Sequence, residues 1–140
     1  MVKGDVKLLL RGKLDKIEFL QNGDVNVMDY KTGAPKTRAQ ILGETKSSEG
    51  NMKRQLDFYK LLLDNFEKGK YRMVSGTIDF VEPDKKGKYH REGFSIGETD
   101  FKTLTEEVKR VGKEIYSLAF WSRRCGDRKC EYCKLRETLD

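Results

Sequence analysis

The sequence predicts an α/β fold, and three observations predict it. Two β-rich runs separated by an Asn-Gly pair open the chain. Two more β-rich runs, with a polar turn between them, lie past the middle. After each pair comes a stretch whose apolar residues recur three and four apart. Apolar alternation is the mark of a strand with one buried face, and spacing of three and four is the mark of one helix face, so hairpins here alternate with amphipathic helices.

The first strand is expected within Val6 to Leu20, where Val6, Leu8, Leu10, Leu14, Ile17 and Phe19 alternate imperfectly and Gly12 suits a bend. Gln21-Asn22-Gly23-Asp24 carries the Asn-Gly turn signal, and Val25, Val27 and Tyr30 form a second strand, so the two should pair as a hairpin. Thr32-Gly33-Ala34-Pro35 ends that strand. Lys36 to Asn51 has no firm period and reads as a surface loop with room for one helical turn. Met52 to Phe66 places Leu56, Tyr59, Leu62, Leu63 and Phe66 on one helical face, with Gly69 just past its end. Met73 to Val81 and Tyr89 to Ile96 are strands about the turn Pro83 to Lys88. Asp100 to Phe120 is again helical through Phe101, Leu104, Val108, Val111, Ile115 and Leu118, and a Cys-rich tail begins at Ser122.

A chain of 140 residues is the size of one domain, read here as a core over 1–121 with a tail, 122–140, belonging to it. At 36% hydrophobic and 37% charged it is a globular protein with a densely ionised surface. No apolar run nears the roughly 20 residues that cross a bilayer, and the first residues lack the apolar core of a secretory signal, so the expected address is cytoplasmic. Lys and Arg outnumber Asp and Glu by 29 to 23, a formal charge of +6, which draws polyanions and makes nucleic acid the leading partner. The pairs Lys109-Arg110, Arg123-Arg124 and Arg128-Lys129, with Phe120 and Trp121 nearby, could track a nucleic-acid backbone, although such charges are more often solvated faces.

Chemistry concentrates on the first hairpin. Asp29 and Lys31 are two apart on a strand and so emerge on one face, an ammonium beside a carboxylate, while Tyr30 should point the other way into the core. A bent partner strand could bring Asp15 alongside Asp29. Two carboxylates suit a hard cation such as Mg²⁺ or Mn²⁺, which can activate water and polarise a phosphate. An isolated Asp-Tyr-Lys is ordinarily a solvated strand edge. The weight therefore rests on the constellation, in which Gln55 and Tyr59 share one face of the helix that follows.

Arg11-Gly12-Lys13-Leu14-Asp15-Lys16-Ile17-Glu18, Val27-Met28-Asp29-Tyr30-Lys31-Thr32-Gly33 and Gln55-Leu56-Asp57-Phe58-Tyr59 resemble, in order and spacing, the successive motifs of RecB-type nucleases of the PD-(D/E)XK superfamily. The resemblance implies a restriction-endonuclease-like core, a mixed central sheet flanked by helices. It implies metal held by Asp15, Asp29 and the backbone carbonyl of Tyr30. Lys31 would position or help deprotonate the attacking water, and Gln55 and Tyr59 would border the site. It further implies an Mg²⁺- or Mn²⁺-dependent deoxyribonuclease in the C-terminal region of a DNA repair or recombination helicase. The family fold usually begins with a helix, often bearing a metal-binding His; that helix is expected to be missing here, as in a fragment cut from a larger helicase-nuclease. The competing readings are a DNA-binding or protein-docking module that keeps the fold without the chemistry, and, more weakly, an RNA-processing site.

Cys125, Cys130 and Cys133 have the spacing of soft-metal ligands, one short of four. In some RecB-type nucleases three such cysteines and one far upstream hold a [4Fe-4S] cluster, so the resemblance implies a cluster in the full-length parent. A zinc site completed by His90 or water, and plain reduced thiols, remain the alternatives. His90 is otherwise expected to be exposed and without a structural role.

Overall fold

A computed structural model describes residues 7–138. Its strands are β1 (Lys16–Phe19), β2 (Asp24–Lys31), β3 (Arg72–Phe80) and β4 (His90–Ser95). Its helices are α1 (Arg38–Leu42), α2 (Asn51–Asn65), α3 (Glu98–Tyr116) and α4 (Glu131–Glu137). The sheet order is β1-β2-β3-β4. β1 and β4 run antiparallel to their neighbours, whereas β2 and β3 run parallel, as strands joined by a helical crossover can. This is the mixed sheet flanked by helices that the sequence pattern and the resemblance together anticipate.

Within the described residues, 9–107 make one compact unit, and 7–8 with 108–138 make a second. In the larger unit one face of the sheet is the core. Val25 and Val27 of β2, Met73, Ile78 and Phe80 of β3, and Phe94 of β4 meet Leu56, Tyr59 and Leu63 of α2, all buried. Burying a side chain such as Leu56 stabilises the fold by about 1.5–3 kcal/mol. The helix can lie this close because β3 carries Gly76 beneath it. A Cβ there would sit 2.9 Å from Leu56 Cδ2 and 3.1 Å from Ile96 Cδ1, closer than packed carbons come.

Several expectations are corrected in detail. The first strand begins only at Lys16; Lys7 to Leu14 has no regular structure, and Val6 lies outside the described residues. Gly12 is not a strand bend. It lies against α2, where a Cβ would fall 2.5 Å from Leu62 Cδ1. The third helix stops at Tyr116, since Leu118 takes a left-handed φ of 54°, and of its apolar stripe Leu104 is buried while Val111, Ile115 and Leu118 are exposed. In the loop after β2, Thr37 and Gln40 form a reciprocal cap that starts the short helix α1. Among the described residues no helix is long and apolar enough to cross a membrane.

Candidate active site

Asp29 and Lys31 occupy the C-terminal end of β2, where ligands commonly bind in open α/β sheets. Their shared face is the one covered by α2, and Asp29 is 2% exposed. Burying a carboxylate costs several kcal/mol unless charge and hydrogen bonds compensate. The compensation is a closed ring of four side chains. Tyr59 donates its hydroxyl to Asp29 Oδ1 over 2.9 Å. Gln55 Nε2 donates to the Tyr59 oxygen over 2.5 Å, and Lys31 Nζ donates to Gln55 Oε1 over 2.6 Å. Lys31 Nζ also stands 2.6 Å from Asp29 Oδ2 and closes the ring. That last contact is a charge pair outside hydrogen-bond geometry, so Asp29 Oδ2 is a buried oxygen with no hydrogen-bond donor among the described residues.

The sequence explains the ring. Residues 25, 27, 29 and 31 alternate onto the helix side of the sheet, and Gln55 and Tyr59, one turn apart on α2, reach down to its end. Burial, then the Asp29 carboxylate, and last the charge on Asp15 push the Tyr59 phenol up to about 12, so it stays a donor at neutral pH.

Asp15 precedes β1 and is exposed, and its Oδ2 accepts the Tyr30 backbone N–H at 2.9 Å. The register Lys16↔Met28, continued by one residue, sets Asp15 opposite Asp29 and therefore on the same face. A strand residue directs its N–H and C=O to the same edge, so the Tyr30 carbonyl faces the β1 side of β2. The side chain of Tyr30 departs from expectation. It is 41% exposed, because the core lies on the Asp29 side of the sheet and not on its own.

The donor set fits a hard cation. It offers two carboxylates on one face, one buried beside the Lys31 ammonium and one exposed, with the Tyr30 backbone at the same strand end. All five predicted side chains, Asp15, Asp29, Lys31, Gln55 and Tyr59, thus gather at one end of the sheet.

In the smaller unit Cys125, Cys130 and Cys133 place their sulfurs within 4.8 Å of one another, with Cys125 Sγ 3.5 Å from Cys133 Sγ. Among the described residues no histidine joins this group. His90 instead contacts Asp84, Nε2 to Oδ2 at 2.7 Å, across the β3–β4 turn. It is half-buried and has a structural role, contrary to expectation: it and the Lys88 backbone N–H hold the Asp84 carboxyl down to about 2.

Two buried polar clusters escaped the sequence reading. Lys60, 3% exposed, donates to the Met73 carbonyl at 2.9 Å and pairs with Asp64 at 2.7 Å. The signal available was the i,i+4 spacing of Lys60 and Asp64 on a largely apolar helix. On the other face of the sheet, Asn26 accepts from Ser75 and Thr77 and donates to Glu18, a cross-strand network visible only once the register is known.

The family model for the PD-(D/E)XK nuclease superfamily matches residues 2–138, and the chain belongs to that superfamily. Its members are in general hydrolytic nucleases that use divalent metals, which implies a DNA substrate and metal-dependent nuclease chemistry. Among curated proteins no match is found.

Proposed function

We propose that the chain is a Mg²⁺- or Mn²⁺-dependent deoxyribonuclease of the RecB type, the nuclease region of a helicase acting in DNA repair or recombination. The observation that carries this reading is the closed ring Asp29–Tyr59–Gln55–Lys31, which holds a buried carboxylate between a phenol and an ammonium at the end of β2. Buried acidic groups are paired or coordinate metals, and this one, already paired with Lys31, faces the side on which Asp15 offers a second carboxylate.

In this reading Asp15, Asp29 and the Tyr30 carbonyl hold the metal. A divalent ion bound there supplies Lewis acidity toward phosphate oxygen and lowers the pKa of bound water. The remaining work belongs to the chain. Tyr59 fixes Asp29 through Oδ1 and so keeps Oδ2 turned from the phenol. An ammonium has three N–H donors; Lys31 spends one on Gln55 and turns its charge to Asp29, so a donor is left for the attacking water or a phosphate oxygen. Its positive charge then stabilises the negative charge that develops on the phosphate. With its side chain 21% exposed, Lys31 is reachable by substrate.

The same reading assigns the three thiols a soft metal, a [4Fe-4S] cluster, with the fourth ligand supplied from outside Cys125, Cys130 and Cys133.

The test is cleavage of single-stranded and duplex DNA with Mg²⁺ or Mn²⁺ by the parent and by Lys31→Ala. The expected result is unchanged circular dichroism and a loss of rate of about a hundredfold or more. Equal cleavage by both removes Lys31 from the mechanism. A parent that binds DNA but cuts neither substrate points to a docking module instead.

A further inference from the structure

The chain's positive charge is not spread evenly. Residues 9–107, which hold the candidate active site, carry 18 Lys and Arg against 17 Asp and Glu, and are close to neutral. Residues 7–8 and 108–138 carry 10 against 4. Attraction to a polyanion scales with the number of phosphates neutralised, so a near-neutral unit with two carboxylates in its candidate site holds nucleic acid poorly by itself. The smaller unit has the charge to do it.

It also has the rings. Tyr132 is 85% exposed and Trp121 49% exposed, and Tyr116 and Phe120 are exposed as well. Tyr132 and Arg136, four apart, share one face of α4, and the Arg136 guanidinium lies 5.2 Å from the centre of the Trp121 ring. Arg136 also donates to the Arg123 carbonyl at 3.3 Å. Tyr132, Arg136 and Trp121 thus follow one another as ring, cation, ring. The cysteines lie beside this strip: Cys130 is the N-cap of α4, Cys133 lies in its first turn, and Cys125 meets Cys133 from the segment that follows Trp121. Arg110 and Arg123 are engaged by Glu114, whereas the side chains of Lys113, Arg128, Lys129 and Lys134 have no ion-pair partner among the described residues.

We propose that the smaller, cysteine-bearing unit is the surface that grips single-stranded DNA, its unpaired bases stacking on the Tyr132–Arg136–Trp121 strip and its phosphates held by Lys113, Arg128, Lys129 and Lys134. Stacking demands exposed base faces, which a duplex withholds. For its occupant the inference rests on the nuclease reading.

The experiment measures binding apart from cleavage: anisotropy of fluorescein-labelled oligothymidylate and of a duplex, with the whole chain, in EDTA, across a KCl series. The joint variant Lys113→Ala, Arg128→Ala, Lys129→Ala, Lys134→Ala is expected to weaken single-strand binding about tenfold or more. It should also flatten the slope of log affinity against log salt by about 0.7 per cation removed. Tyr132→Ala is expected to weaken binding by about five- to a hundredfold, with the salt slope unchanged. The control Lys85→Ala, Lys86→Ala, Lys88→Ala, in the β3–β4 turn, should bind as the parent does. The proposal is overturned if the tail variant binds like the parent, if the control loses as much, if Tyr132→Ala has full affinity, or if duplex is preferred. Capture of phosphatidylserine vesicles in place of the oligonucleotide overturns it equally. Intact single-strand binding by a chain that cuts no DNA counts against the nuclease reading alone.

Discussion

Replacing Tyr59 with Phe deletes one oxygen from the centre of the four-residue ring and leaves the ring's packing in place. The hydroxyl has two partners, Asp29 Oδ1 at 2.9 Å as acceptor and Gln55 Nε2 at 2.5 Å as donor. A hydrogen bond to a charged group contributes about 1.5–3 kcal/mol, and Asp29 is too buried for water to replace it. Gln55 is half-buried, so solvent recovers most of its share. Tyr59→Phe should therefore destabilise the fold by about 2–3 kcal/mol at neutral pH. Urea unfolding followed by circular dichroism would show this as a midpoint lowered by roughly 1–2 M at an ordinary slope.

The same hydroxyl predicts an alkaline signature. A phenol whose folded pKa stands at about 12 against 10.0 unfolded gives stability that is complete below pH 10 and is lost as pH rises toward 12. Two pH units correspond to about 2.7 kcal/mol. The difference in stability between parent and variant should thus shrink over that window, while the lysines titrate alike in both. A variant within about 0.5 kcal/mol of the parent at neutral pH, with no convergence at high pH, refutes the bond between Tyr59 and Asp29 and with it the account of how Asp29 stays buried.

Three further outcomes follow from other parts of the molecule. Gly76→Ala places a methyl group between Leu56 and Ile96 and should cost about 1–3 kcal/mol by thermal unfolding. His90→Ala removes the largest influence holding Asp84 near 2, so its carboxyl should titrate closer to 3.8 in a carbon-detected NMR titration. In the parent, the stability due to this pair is present above pH 3.8 and is lost as pH falls toward 2, and the variant should lose less over that interval. Loading with Co²⁺ should give the sulfur-to-metal charge-transfer absorption of a thiolate site in the parent and markedly less in Cys133→Ser, since two remaining sulfurs hold a soft metal poorly.

Elements with a strong period were legible from sequence to within a residue or two, as α2 shows: spacing placed it at Met52 to Phe66 and it runs Asn51–Asn65. The first strand was not, because alternation in Val6 to Leu20 reports only that side chains take turns at being buried. In Lys7 to Leu14 the chain is irregular: Gly12 rests on Leu62 of α2, while Leu8, in the other unit, meets Gly112. The site divides in the same manner. That these side chains come together was legible, since Asp29 with Lys31 and Gln55 with Tyr59 are short-range pairs whose common faces follow from periods of two and four.

Which of two faces is buried is another matter, as period two assigns neighbours to opposite sides without saying which side meets the core. The expectation for Tyr30 assumed that a charged pair must look outward and an aromatic ring inward. The opposite holds because Asp29 is admitted to the core side by groups from two other places, the Tyr59 hydroxyl on α2 and the Lys31 ammonium one pleat along. Reversing the two faces would bury the Tyr30 ring and expose the Asp29 carboxylate, but it would also turn Val25 and Val27 out of the core and dissolve the ring of four. The buried carboxylate is thus a local cost on a strand whose apolar residues fix the inward face, and the Tyr59 hydroxyl and the Lys31 ammonium offset it at that strand end.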